Sequence, residues 1–192
     1  MAPDLPCDDP TATFESYADV VVDALEGVDD PILVGHSLGG MTIPLVAERF
    51  PSAALVFVCA YLRLPGRDDG PARVREGFGA DMRDELGRSL WSRERALEQL
   101  YAHVPRPLAR AACERLRPQA QNPFAAPYAL SELPMRRSTW ILALDDEAFR
   151  PEWSRWAARE LVGIEPVELP GGHFPMYERP SALVQLLLEQ TA

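Results

Sequence analysis

Apolar residues fall along this chain in two rhythms. Between Thr13 and Glu26, the residues Phe14, Tyr17, Val20, Val21, Ala24 and Leu25 recur at three- and four-residue intervals. That spacing predicts an amphipathic helix with Thr13 as its N-cap and Gly27 as its stop. Residues 32–36 and Ala54 to Cys59 are instead short and apolar throughout. Runs of that kind predict strands buried on both faces of a parallel sheet. The stretch between them predicts a helix running to about Phe50 and ended by Pro51, with Pro44 inside it expected to cost a hydrogen bond and kink it. A strand, helix and strand of these lengths form a right-handed βαβ unit. Thr139 to Leu144 reads as a further strand and residues 165–169 as a last, short one. Trp153, Trp156, Ala157 and Leu161 mark the inner face of a helix at 151–161. Leu183, Val184, Leu187 and Leu188 mark the buried face of a terminal helix from about Ser181 to Glu189.

Residues 65–134 change character: Arg, Ala and Pro dominate, and the apolar period is helical at Ala96, Leu97, Leu100 and Tyr101 and again at Leu108, Ala111, Ala112 and Leu116. This predicts a helical insertion over the carboxyl edge of the sheet, bounded by Leu64-Pro65-Gly66 and Leu133-Pro134. The division is a core of residues 1–64 and 135–192 with an inserted segment, 65–134. A chain of 192 residues is expected to form one domain, burying roughly 70% of its unfolded surface. The fold class is α/β.

Composition narrows the partners. The formal charge of −10 argues against a nucleic-acid backbone, which needs a basic face. Cys7, Cys59 and Cys113 are scattered and odd in number, without zinc-type spacing, and read as free thiols in a cytoplasmic protein, with Cys59 in the core. The first residues lack the basic and apolar regions of a signal peptide, and the longest apolar run, Ala53 to Leu62, is too short to span a bilayer. No membrane partner is expected.

The chemistry concentrates where the first strand meets its helix, at Gly35-His36-Ser37-Leu38-Gly39-Gly40. A Gly-x-Ser-x-Gly turn between a strand and a helix is a nucleophile elbow. Gly35 and Gly39, lacking Cβ atoms, are expected to let strand and helix pack closely while Ser37 is held strained with its Oγ exposed. The helix beginning at Leu38 turns its amides and positive dipole end toward the same point, with the Leu38 amide as an oxyanion donor. The alternative is a Gly-rich turn whose serine merely caps a helix. In an open parallel sheet, ligands gather outside the carboxyl ends of the strands, and Ser37, Asp146 and His173 each follow such an end. A serine hydroxyl needs a base within hydrogen-bond reach and an acid that fixes the base's tautomer. The order Ser, Asp, His along the chain suits this fold. His36, next to the nucleophile, is expected to point away from it, and His103 to have a solvated or capping role. Asp145 and Asp146 are adjacent, and only one can face the histidine; Asp146 is the preferred acid, while an aspartate pair can also be helix-capping chemistry. No metal cluster, phosphate loop or dinucleotide fingerprint competes, so neither a cofactor nor a metal is expected.

These residues resemble the α/β-hydrolase fold, and within it the small esterase and hydroxynitrile lyase group that includes plant methyl-ester hydrolases. The match is carried by residues 35–40, by Asp146 with Pro151 behind it, by Gly-Gly-His-Phe-Pro-Met at 171–176 and by Arg179-Pro180. Leu116-Arg117-Pro118-Gln119 is similar to part of the helical cap of bacterial members. The resemblance implies a parallel sheet flanked by helices, a helical cap, and hydrolysis of a small carboxylic ester through an acyl-enzyme on Ser37. It also implies several strands ahead of Ala2-Pro3-Asp4-Leu5-Pro6, including the second oxyanion donor. Their absence predicts an N-terminally shortened sheet, reduced activity and a bare edge near Ile32-Val34, open to a homodimer unless the chain is part of a longer product. The alternatives are a non-catalytic binding module or relic, and a hydroxynitrile lyase. The lyases are expected to need a cap lysine, and this sequence has none.

Overall fold

A computed structural model describes residues 1–134 and 136–189. The expected core boundary at residue 135 and the last three residues of that core, 190–192, lie outside the described residues. Thr13 caps α1 (Phe14–Ala24) as expected: its side chain accepts from the Ser16 amide at 3.3 Å while Ser16 Oγ accepts from the Thr13 amide at 3.1 Å. Then follow β1 (Ile32–His36), α2 (Gly39–Ala47) and β2 (Ala54–Val58). Pro44 does not end α2, since the Glu48 amide still donates to the Pro44 carbonyl at 3.2 Å. The helix stops short of Phe50 because the Arg49 and Phe50 amides turn back to carbonyls three residues earlier.

Residues 65–91 hold no helix, contrary to the expected helical insertion; their regular structure is a two-stranded antiparallel ribbon of β3 (Met82–Arg83) and β4 (Ser89–Leu90). Proline and glycine in this stretch interrupt any helical ladder. The helical period holds farther on, in α3 (Arg93–Arg95), which continues as a π turn over Ala96–Leu100, and in α4 (Arg106–Cys113) and α5 (Asn122–Ala125). In α4 the buried face is Ala109 and Ala112, and Leu108 stands exposed. The chain then forms β5 (Ser138–Ala143), α6 (Pro151–Ala157) with a π turn to Val162, β6 (Val167–Leu169), α7 (Pro175–Glu178) and α8 (Pro180–Glu189).

The main sheet is parallel throughout, in the order β1-β2-β5-β6. Alternate strand residues face opposite layers. Leu33, Phe57, Trp140 and Leu142 pack with α1, α2 and α6, where the Phe57 and Trp140 rings stack at 5.1 Å. Val56, Val58, Ile141 and Ala143 pack against Leu183 of α8. Helices therefore flank both faces. The periphery agrees with expectation in part. β1 is an edge strand among the described residues, in keeping with the expected bare edge near Ile32-Val34, but Val34 is 46% exposed, so the strand is not buried on both faces. In α8, Leu183 is buried with Leu186 and Leu187 packed beside it, but Val184 and Leu188 are 51% and 60% exposed, so the buried stripe is narrower than expected. A parallel sheet brings all its carboxyl ends to one rim, so the residues after His36, Val58, Ala143 and Leu169 converge.

Candidate active site

Ser37 follows β1 in a left-handed conformation, φ 50, which a residue with a Cβ adopts only under local constraint. The constraint is visible: its amide donates to the Val58 carbonyl at 3.2 Å, and its carbonyl accepts from the Gly40 and Tyr61 amides at 3.0 and 2.8 Å. A Cβ on Gly35 would lie 2.6 Å from the Gly39 carbonyl oxygen, and one on Gly40 would lie 2.4 Å from that of Tyr61. The closely packed glycines are thus Gly35 and Gly40. Gly39 has open space around it, contrary to expectation.

His173 and Asp146 come to Ser37 from the ends of β6 and β5. His173 Nε2 lies 3.0 Å from Ser37 Oγ, and its Nδ1 lies 3.0 and 2.9 Å from the two Asp146 oxygens. A carboxylate only accepts, so Nδ1 donates to it and Nε2 of the neutral ring is left to accept the serine proton. Asp146 and His173 are 2% and 3% exposed. Asp146 Oδ1 also accepts from the Ala148 and Phe149 amides at 2.7 and 2.9 Å, so its acceptor positions are well filled. Asp145 is exposed and meets Gly171 instead, accepting from that amide at 3.2 Å.

The profile of the Alpha/beta hydrolase family matches residues 1–186. The chain belongs to this family. Two curated relatives of this α/β hydrolase are Probable esterase PIR7A of Oryza sativa subsp. indica, 28% identical over 96% of this chain and 80% of that protein, and Methylesterase 7 of Arabidopsis thaliana, 30% identical over 94% and 78%. Among solved structures, polyneuridine aldehyde esterase superposes with a TM-score of 0.75 at 18% identity, covering 95% of this chain and 81% of that one.

Several residues that support the site of this α/β hydrolase had no motif to mark them. His36 Nε2 reaches the His173 carbonyl at 2.8 Å, and the two rings lie 4.8 Å apart. Burial, together with the neighbouring His173, pushes the His36 pKa down to about 3, so the ring stays neutral. Nε2 therefore donates to the carbonyl. Glu178 accepts from the Gly172 and Phe174 amides at 2.6 and 3.3 Å, bracketing His173. Arg75 donates from Nε to the Asp146 carbonyl at 2.6 Å. His103 is exposed, in keeping with the expected solvated role, and is also paired with Glu147 at 2.8 Å with its ring against Gly172. The Leu38 amide follows Ser37 directly and meets no acceptor among the described residues. Donor atoms of Cys59, Asp146 and His173 lie within 4.8 Å of one another and form the one metal-like grouping among the described residues; two of its members already bond to each other. No described helix is long and apolar enough to cross a membrane.

Proposed function

We propose that this α/β hydrolase cleaves small, largely uncharged carboxylic esters through an acyl-enzyme on Ser37. As Ser37 Oγ attacks the ester carbonyl carbon, its proton passes to His173 Nε2, and Asp146 stabilises the imidazolium through Nδ1. The Leu38 amide donates to the oxyanion of the tetrahedral intermediate. Collapse of that intermediate breaks the bond to the alkoxy oxygen, which takes the proton from Nε2 and leaves as the alcohol. A water then repeats the sequence on the acyl-enzyme, giving the acid and restoring Ser37. The observation that carries this reading is the unbroken line of contacts from Ser37 Oγ to His173 at 3.0 Å and on to Asp146 at 2.9 Å. The esterase names of the relatives agree with it, and so do the apolar rings of Phe149 and Phe174 against His173.

The test is turnover of a small carboxylic ester by the purified chain and by S37A, beside labelling with a fluorophosphonate probe. The expected result is labelling of the unsubstituted chain alone and a fall in turnover on the order of 10⁴ or more in S37A. Equal ester turnover by both proteins would overturn the proposal.

A further inference from the structure

The inserted segment touches the site through the turn between its π turn and α4. Tyr101 and Val104, at the two ends of this turn, are 5% and 4% exposed, and the Val104 amide closes it by donating to the Tyr101 carbonyl at 3.1 Å. The Tyr101 ring lies 4.8 Å from that of Phe174 and 6.4 Å from that of Tyr177, so the turn is fixed against the residues that follow His173. His103 stands between the two buried ends and is exposed.

From that place the imidazole meets both loops that carry the site. Its Nε2 lies 2.8 Å from Glu147 Oε1, and because a carboxylate only accepts, Nε2 is the donor. Glu147 directly follows Asp146. The same ring covers Gly172, which directly precedes His173: a Cβ there would lie 2.6 Å from His103 Cδ2 and 3.0 Å from Glu178 Oε1. Gly172 is therefore packed between the imidazole and the Glu178 carboxylate, which accepts from the Gly172 amide at 2.6 Å. Acid and base arrive from different strands, β5 and β6. Past the strand ends their loops are joined by the Asp145 amide on the Gly171 carbonyl at 2.9 Å and the Gly171 amide on the Asp145 carboxylate at 3.2 Å. His103 adds a contact with each loop from the inserted segment.

We propose that His103 is a positioning residue that clasps together the loops carrying Asp146 and His173, so that the inserted segment sets the register of the acid against the base. This rests on the reading of Ser37, His173 and Asp146 given above. The clasp acts through the neighbours of those two residues, and its effect falls on the chemical step, where a small displacement of a proton-transferring group lowers the rate. An exposed ion pair of this kind adds little to global stability. Its contribution is to geometry.

The test compares H103A, E147A, the double variant and H103Q with the unsubstituted chain, in steady-state ester kinetics and in hydrogen exchange at residues 171–174. H103A and E147A are each expected to lower kcat roughly fivefold with KM within about twofold, and the double variant to fall no further than H103A, since both changes remove one contact. H103Q keeps a side-chain N–H donor for Glu147 and is expected to bring kcat back to within about twofold of the unsubstituted chain. Exchange at 171–174 is expected to quicken about threefold in H103A and to return in H103Q, with β2 unchanged. A role in packing alone predicts no recovery in H103Q, and a contact with the ester itself predicts the loss in KM. Either result, additive losses in the double variant, or a kcat unchanged in H103A would overturn the inference. Exchange reads the clasp without ester turnover, so unchanged exchange in H103A counts against His103 alone, whereas equal turnover in the S37A comparison counts against the reaction.

Discussion

Asp146 is buried with two backbone amides and the His173 ring on its carboxylate, whereas Asp145, one position earlier, is exposed and touches the Gly171 loop. Asparagine at 146 cannot accept from Nδ1 as a carboxylate does and admits the wrong imidazole tautomer. D146N is therefore expected to lower kcat by a factor on the order of 10⁴, while D145N stays within about twofold; steady-state kinetics on one ester decides between the adjacent residues. His36 makes a different prediction, about stability. Its pKa falls from the ordinary 6.5 to about 3 in the folded chain, so the unfolded chain binds the extra proton more readily. The stability owed to a neutral His36 is complete above the unfolded pKa and is lost as pH falls through the interval down to about 3. H36Q keeps a donor for the His173 carbonyl and does not titrate. Denaturant unfolding at pH 7 and pH 4 is expected to show the unsubstituted chain losing on the order of 2–4 kcal/mol more than H36Q over that span. Equal losses would remove His36 from the account.

At the level of elements, the central ones could be read from the chain because their burial is uniform. β2 has neighbours on both sides and helices on both faces, and each of its residues, Ala54 to Val58, is buried, as its unbroken apolar run implies. The elbow was equally legible, since strand, Gly-x-Ser-x-Gly and helix signals coincide within a few residues. Elements at the margin were harder. β1 has the same apolar appearance as β2, and its own pattern implied burial on both faces, which the exposure of Val34 contradicts; its place at the edge came from the family resemblance and not from its residues. Composition records which residues can be buried and carries no information about how many neighbours a strand acquires. The same ambiguity misassigned Val184 and Leu188. In residues 65–91 the order comes from contacts with distant segments, such as the Ser89 amide donating to the Gln119 carbonyl at 2.8 Å, which no local period encodes. The site divides likewise. Ser37, Asp146 and His173 follow strand ends and carry motif neighbours, whereas His36 and Arg75 matter through contacts with segments distant in the chain.

Across the whole molecule, the residues between Asp69 and Arg75 form a strap bound to α6 and to the loop carrying Asp146. Trp153 Nε1 of α6 donates to the Asp69 carbonyl at 3.2 Å, and the Arg73 guanidinium lies 4.6 Å from the centre of the Tyr61 ring. The Arg150 amide donates to the Arg73 carbonyl at 2.9 Å and the Arg75 amide to that of Ala148 at 3.2 Å, an antiparallel bridge centred on Val74 and Phe149. Arg75 Nε then reaches the Asp146 carbonyl at 2.6 Å. The acid loop is therefore held from outside as well as from the sheet. Gly70 is where this strap is most sensitive, since its φ is +68 and an added Cβ would lie 2.3 Å from the Trp156 ring. G70A must shift either the strap or the indole, and α6 is anchored by buried Trp153 and Ala157. The strap is the element free to move. With it displaced, the bridge to residues 148–150 loosens and local opening of the acid loop becomes easier while the sheet stays folded. Hydrogen exchange in G70A is expected to quicken at residues 145–150 by about tenfold, with β2 unchanged and Ser37 labelling by a fluorophosphonate slowed. Exchange at 145–150 matching the unsubstituted chain would show that the sheet alone holds Asp146 in place.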